Sequence, residues 1–368
     1  MKFSFFGPLL LFLCLGLTLP ACRPEAPPAR PPAPVDTSKS VVKIFSTLQG
    51  VDFSEPWKPG STDSKEGCGT ILPGGRILTN AHLVDKANYI EVQKFGETKR
   101  YMAKVEKLAW DLDLALLSVE DKDFVTGTEP VVFGELPAPG EKVIIQGGDE
   151  LSKKEDTVSG LDMAWSWEGA TYIPALLSLS EIDGKILGCP VFKDGKFIGI
   201  PIAAWHRDQK IGFILPVTLV QLFLKSVEGG HEYQGLSDMG IYTQALKSPD
   251  LRDYYHFPPD KAGGVVVTRV LYGGASVGLL KEGDVVTAIG GHSIDNEGYT
   301  FLGKSGRVSI DYIISLNQPG ESVDVDLYRD GQPLKVQVPL KTEPKLVPCR
   351  PDNRHPSYFM IAGFVFVP

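Results

Sequence analysis

From residue 41 onward the chain is a succession of short apolar or alternating runs. VVKIFSTL (41–48), TILPGGRILTNAHLV (70–84), YIEVQKF (89–95), YMAKVEKLAW (101–110) and LDLALLSV (112–119) are separated by Gly, Pro or charged turns. KVIIQGG (142–148), FIGIPIAAW (197–205) and KIGFILP (210–216) continue the series. Many short strands with Gly/Pro turns predict an all-β barrel or sandwich. VTLVQLFLKSVEGG (217–230) breaks the rhythm. Its apolar residues fall at helical spacing and Gly-Gly ends it, which predicts a helix closing the domain. Residues 235–342 have a third rhythm. GGVVVTRVLYGGASVGLLKEGDVVTAIGGHSI (263–294) predicts two strands around a small-residue turn and a short helix. ESVDVDLYRDGQPLKVQVPL (321–340) predicts a hairpin at Asp330-Gly331, with alternation on both sides.

The amino-terminal stretch belongs to none of these patterns. Lys2 supplies a positive start, and residues 9–19 form an apolar core too short to span a bilayer as a mature helix. Leu19-Pro20-Ala21-Cys22 then resembles a bacterial lipobox. It predicts a signal peptide over 1–21, lipid on Cys22 and a membrane-anchored lipoprotein of the bacterial cell envelope, on its periplasmic or surface side. Residues 22–40 are Pro- and Ala-rich and predict a semi-rigid tether.

A length of 368 residues allows two or three domains. A net charge of -8, with no cluster of five or more Lys and Arg, argues against nucleic acid as a partner. Five cysteines are present, of which Cys68, Cys189 and Cys349 lie beyond the leader and tether. An exported chain permits a disulfide among them. His206, His231, His256, His292 and His355 show no metal-ligand spacing. No cofactor motif is apparent. Trp165, Trp167 and Trp205 are expected to serve packing.

Three motifs in fixed order carry the candidate chemistry: ILTNAHLV (77–84), DLDLALLSV (111–119) and GKILGCPVFKDGKFIGI (184–200). Together they resemble trypsin-like serine proteases of the HtrA/Deg family, which carry GNSGGP in the third. IIQGGDELSKKEDTVSG (144–160), IGFILPVTLVQLFL (211–224) and the PDZ-like LLKEGDVV stretch extend the resemblance. RHPSYFMIAGFVFVP (354–368) resembles the junction to a further PDZ-like domain in the long plant-type Deg proteases. The sequence stops where that domain would begin, so the chain is expected to be a shortened member or an early-ending frame.

The resemblance implies a mainly β fold, a trypsin-like double β-barrel over 41–230 followed by a PDZ-like α+β domain over 235–342. Residues 343–368 are an extension. It places His82 as the catalytic histidine and Asp113 as its aspartate, with Asp111 a poorer match by register. The aspartate fixes the imidazole tautomer, and the imidazole takes the proton of the serine. Pro190 aligns Leu187 with that serine and Lys185 with the glycine whose amide, with that of the serine, forms the oxyanion hole. Gly188 and Cys189 fall on the following glycines. Leucine has no nucleophilic atom. Ser178 and Ser180 lie too far upstream to substitute, and Cys189 is two residues past the position. An inactive homologue is therefore expected.

The resemblance also implies a Cys68–Cys189 disulfide across the former active site. Residues 237–242 match the loop and strand that receive a peptide in PDZ domains, with Met239, Gly240, Ile241 and Tyr242 at the carboxylate-binding end. Asp238 there would repel a free carboxylate. The functional expectation is a lipid-anchored homologue that binds unfolded protein or a peptide C-terminus. The alternatives are an active serine-type endopeptidase in protein quality control and a regulatory subunit of an active Deg paralogue. The resemblance further suggests a homo-oligomer such as a trimer, or mixed assembly with such a protease.

Overall fold

The computed structural model describes residues 1, 37–52, 54–147, 151–181, 186, 188–206, 211–345 and 357–367. Cys14, Cys22, Lys185, Leu187, Cys349 and His355 lie outside the described residues. Val35–Pro368 cluster as one unit.

The predicted short strands form two barrels. β1 (Val41–Val51), β2 (Pro59–Ile71), β3 (Ile77–Asn80), β4 (Ala87–Lys94), β5 (Arg100–Ala109) and β6 (Leu114–Val119) close in the order β1-β2-β3-β6-β5-β4. Alternation sets which side chains point in: Val42 and Ile44 of β1 meet Ile71, Ile77 and Val92 in the interior. β6 reads LALLSV without alternation because both of its faces are covered. Ala115 and Leu117 join the first barrel's core, while Leu114 and Leu116 join a second cluster with Phe197, Leu215 and Phe223.

β7 (Lys142–Gly147), β8 (Ser152–Ser166), β9 (Thr171–Ser178), β10 (Val191–Lys193), β11 (Lys196–Pro201), β12 (Ala204–Trp205) and β13 (Gly212–Pro216) form the second sheet. Its order is β12-β8-β7-β10-β11-β13-β9, and a further β8–β9 pairing closes it on itself. The helix predicted after β13 is α1 (Val217–Ser226), with Val217, Leu219, Val220 and Phe223 buried.

The third region begins with β14 (Ser237–Asp238), β15 (Ile241–Ala245) and α2 (Pro249–Tyr254). It continues through β16 (Val265–Val270), β17 (Val285–Ile289), β18 (His292–Ser293), β19 (Tyr299–Phe301) and β20 (Arg307–Ser309). α3 (Ile310–Ser315), β21 (Ser322–Arg329), β22 (Gln332–Pro339) and β23 (Lys341–Thr342) complete it. The main sheet runs β15-β16-β17-β21-β22, and β21 and β22 are the hairpin predicted at Asp330-Gly331. β15 is an edge strand.

The short helix expected between 263 and 294 does not form. Residues 272–279 are successive turns, broken by Gly273, Gly274 and Gly278 at a position where glycine disfavours helix. The helix of this region is α3 instead, capped by the Ser309 hydroxyl accepting from the Asp311 amide at 3.3 Å. α3 and β20 pack on β8 and β9 of the second barrel. Tyr312 and Thr218 share a hydrogen bond at 3.0 Å, and Gln318 donates to the Leu222 carbonyl at 3.0 Å. The third region is thereby fixed against the body.

Near the carboxyl end, β24 (Phe359–Ile361) and β25 (Phe364–Phe366) pair with each other as a small hairpin. Among the described residues, no helix is long and apolar enough to cross a membrane.

Candidate functional site

Asn80 ends β3, and the chain then makes one tight turn, Ala81–Leu83, that carries His82. Asp113 sits just before β6 with φ of 51°, a left-handed conformation that an aspartate tolerates better than most side chains. Its backbone is pinned to that turn. The Asp113 carbonyl accepts from the Ala81 amide at 3.0 Å and from Asn80 Nδ2 at 3.1 Å. Its carboxylate accepts from His82 twice, from the amide at 3.0 Å and from ring Nδ1 at 2.7 Å. The proton is thereby held on Nδ1, which leaves Nε2 as the basic nitrogen. Burial pushes the Asp113 carboxyl above its usual range, and the hydrogen bond from His82 pulls it back. The pair is an assembled acid–base unit.

Asp111, the poorer match, does other work. Its carboxylate accepts from the Tyr233 hydroxyl at 3.0 Å, the Leu236 amide at 2.9 Å and the Leu112 amide at 3.0 Å. It ties the segment that follows α1 to the first barrel. Burial raises its pKa, and burial followed by Asp111 raises that of Tyr233 well above the ordinary value. This role rests on contacts 122 and 125 residues away in the chain, which no local motif could signal.

The loop between β9 and β10 comes back to the histidine turn. Gly188 has φ of 77°, and a side chain there would come within 2.5 Å of the Cys68 carbonyl and 3.0 Å of Thr79 Oγ1. Lys185 and Leu187 fall outside the described residues. Ser178 is turned away: its hydroxyl donates to Asp156 at 2.5 Å and lies 2.9 Å from the Ser180 carbonyl.

Cys68 and Cys189, expected as a disulfide, are two buried thiols in this structure. Both sulfurs lie where a Gly147 side chain would be. A Cβ there would be 2.2 Å from Cys189 Sγ and 2.7 Å from Cys68 Sγ. The expectation is corrected accordingly. The two side chains fill the space beside Gly147 as small apolar groups, with no covalent bond between them. Gly147→Ala is expected to destabilise the fold by about 1–3 kcal/mol through overpacking, as read by denaturant unfolding. Cys189→Gly in the same chain should recover part of that loss.

The second candidate is a groove of about 630 Å³ between β15 and α3, closed on one side by the second barrel. Ile241, Tyr242 and Thr243 of β15 face Ile310, Asp311 and Ile314 of α3 across it. Met239 lines it from the loop before β15. The Gly240 amide donates to the Asp238 carboxylate. Burial, chiefly, pushes the Asp238 carboxyl up to about 6, with Asp311 and Glu343 adding to the rise. Asp311 is reached by solvent through the groove yet walled by protein, and its pKa is raised by that desolvation.

Trp205, expected to serve packing, belongs to this wall together with His206. Trp205 is 39% exposed and lines the groove, as does His206, which is 9% exposed. Trp165 packs edge-on against Tyr172, and Trp167 is exposed. Among the described residues, no group of three or more His, Cys, Asp or Glu could hold a metal ion.

Comparison with known proteins agrees with this layout. A model of the trypsin-like peptidase domain matches residues 67–200. Protease Do-like 2, chloroplastic, of Arabidopsis thaliana is 32% identical over 336 residues, covering 89% of this chain and 55% of that protein. Protease Do-like 4, mitochondrial, of the same plant is 28% identical over 353 residues, covering 95% of this chain and 68% of that one. The chain thus spans only about half to two thirds of the lengths of these relatives. The solved HtrA-type protease AlgW with tripeptide superposes with a TM-score of 0.60 at 20% identity, over 84% of this chain and 95% of its own. AlgW with decapeptide gives 0.57 at 19%, over 84% and 97%. These two likenesses speak for the fold.

One expectation is overturned. The bacterial cell-envelope location inferred from the leader does not stand, because these relatives are chloroplastic and mitochondrial proteins and point to an organelle. A lipobox is a four-residue pattern and carries little against similarity over most of the chain. With a trypsin-like double barrel, an assembled histidine–aspartate pair and relatives matched over about nine tenths of its length, the chain is similar throughout to the HtrA/Deg trypsin-like serine proteases.

Proposed function

We propose that this chain is a catalytically inactive HtrA/Deg homologue that binds extended polypeptide in the groove between β15 and α3. The observation that carries this reading is an assembled acid–base pair to which, among the described residues, no hydroxyl is bonded. Leu187 stands at the family's nucleophile position, and among the described residues no hydroxyl hydrogen-bonds to His82. Ser178 is engaged with Asp156. Cys189 is fully buried against Gly147 and cannot meet a substrate. A histidine that activates nothing leaves no acyl-enzyme route.

The binding half rests on β15. It pairs with β16 on one side only, and its outer edge offers backbone groups to an added strand. The solved AlgW structures are of that protease with a decapeptide and with a tripeptide.

Casein cleavage by the full chain, compared with His82→Ala, tests the inactive half. Turnover no higher than that of His82→Ala is the expected result. Cleavage by the unchanged chain that His82→Ala abolishes would show a working triad, and the reading would fail.

A further inference from the structure

We propose that the groove beside β15 takes an extended peptide through a lysine or arginine side chain, and not through a free carboxyl terminus. This rests on the reading of the groove as a peptide site and names the chemistry it selects.

The end of the groove that would hold a ligand carboxylate already holds one. Asp238 accepts the hydrogen bond of the Gly240 amide, so a donor that would meet a terminal carboxylate is spent within the chain. A second anion there would face the first across a partly desolvated space. Repulsion between like charges is strongest where water is least able to screen it.

The rest of the wall has the same sign. Asp162, Asp238, Glu297 and Asp311 line the groove, and among the described residues no lysine or arginine lines it. Two cations that pair with the lining residue Glu297 are engaged: Arg307 with Asp295 and Glu297, and Lys247 with Glu297. His206 is nine-tenths buried in the same wall. Its Nε2 lies 3.3 Å from Asp162, while its Nδ1 has no hydrogen-bond partner.

Desolvation raises the carboxyl pKa values of both Asp238 and Asp311, so each is held at a cost when ionised. A guanidinium or ammonium between them would lower both, and that difference is binding free energy for a cation. The remaining lining suits the stem of such a side chain. Met239, Ile241, Ile310 and Ile314 offer apolar surface to its methylenes while its charged head reaches the carboxylates. Backbone pairing on the β15 edge would set the direction of the ligand strand.

The test uses the full-length chain and four amino-terminally labelled peptides that share one alternating apolar body. Two end in arginine and two in valine, each pair as free acid and as amide, and binding is read by fluorescence anisotropy. The arginine amide should bind tightest, by about tenfold or more over the valine acid, as a charge-assisted contact allows. Asp238→Asn combined with Asp311→Asn should bring the arginine amide down to the level of the valine amide. Asparagine at 238 keeps an oxygen for the Gly240 amide, and an unchanged unfolding midpoint would show that the loop still folds.

Tightest binding by the valine acid would overturn the cation preference and leave the groove reading standing. An arginine preference that survives both substitutions would also overturn it, since the carboxylates would not be its source. Binding of none of the four would remove the groove reading itself, and the inference with it.

Discussion

The variant Lys185→Gly, Leu187→Ser is expected to take up a fluorophosphonate label that the unchanged chain does not. The reason lies in what is already in place. His82 and Asp113 are joined at 2.7 Å through Nδ1, with Asp113 anchored by three further bonds to the histidine turn. That arrangement presents Nε2 as a base whether or not a nucleophile is present. Serine at 187 supplies the hydroxyl, and glycine at 185 restores the residue the family uses for its oxyanion amide. Adding His82→Ala to this variant should cut labelling by about 10²–10⁴-fold, the usual worth of a positioned general base. An unlabelled variant that still folds would mean that Leu187 is not the residue facing His82.

Arg329→Leu is expected to destabilise the chain by about 3–5 kcal/mol, because it leaves a buried charge without its partner. Asp284 is 1% exposed and sits in the KEGD turn. Arg329 grips it with two bonds of 2.7 Å, Nε to Oδ1 and Nη2 to Oδ2, and donates also to the Leu279 carbonyl at 3.0 Å. The Lys281 amide adds a bond of 2.8 Å to the same carboxylate. In the single variant that amide remains, but no positive charge does. The unfolding midpoint should fall by roughly 10 °C. Asp284→Asn placed beside Arg329→Leu should recover part of the loss, since it removes the stranded charge. By contrast, the exposed pair of Lys335 and Asp326 at 3.1 Å should yield almost nothing when broken. Equal effects at the two sites would show that burial does not set the strength of the Arg329 pair.

The barrels were legible in the sequence because their information is local. Alternation marked β1, the apolar run LALLSV marked β6, and helical spacing with a Gly-Gly stop marked α1. His82 and Asp113 were legible because each follows or precedes a strand with a fixed offset. What stayed hidden depended on distant chain meeting distant chain. The six residues of α3 are too few to show a helical period, and they hold their shape against β8 and β9. Asp111 resembles a catalytic candidate until Tyr233 and Leu236 arrive at its carboxylate. Asp238 was legible as a repulsive neighbour to a carboxylate site. That it satisfies the Gly240 amide itself could be learned only from the folded loop. The cysteine pair shows the opposite error: proximity implied by family resemblance does not establish a covalent bond.

β6 has a consequence for how this body comes apart. Leu114 and Leu116 belong to one core, and Ala115 and Leu117 to another, so a single strand is the party wall of both barrels. Removing either barrel would lay half of that wall open to water, at about 25 cal/mol for each Å² of apolar surface exposed. Neither barrel is a stable fragment on those terms. The two are expected to melt together as one cooperative step in calorimetry, and a proteolytic nick between them to leave the halves clasped rather than released.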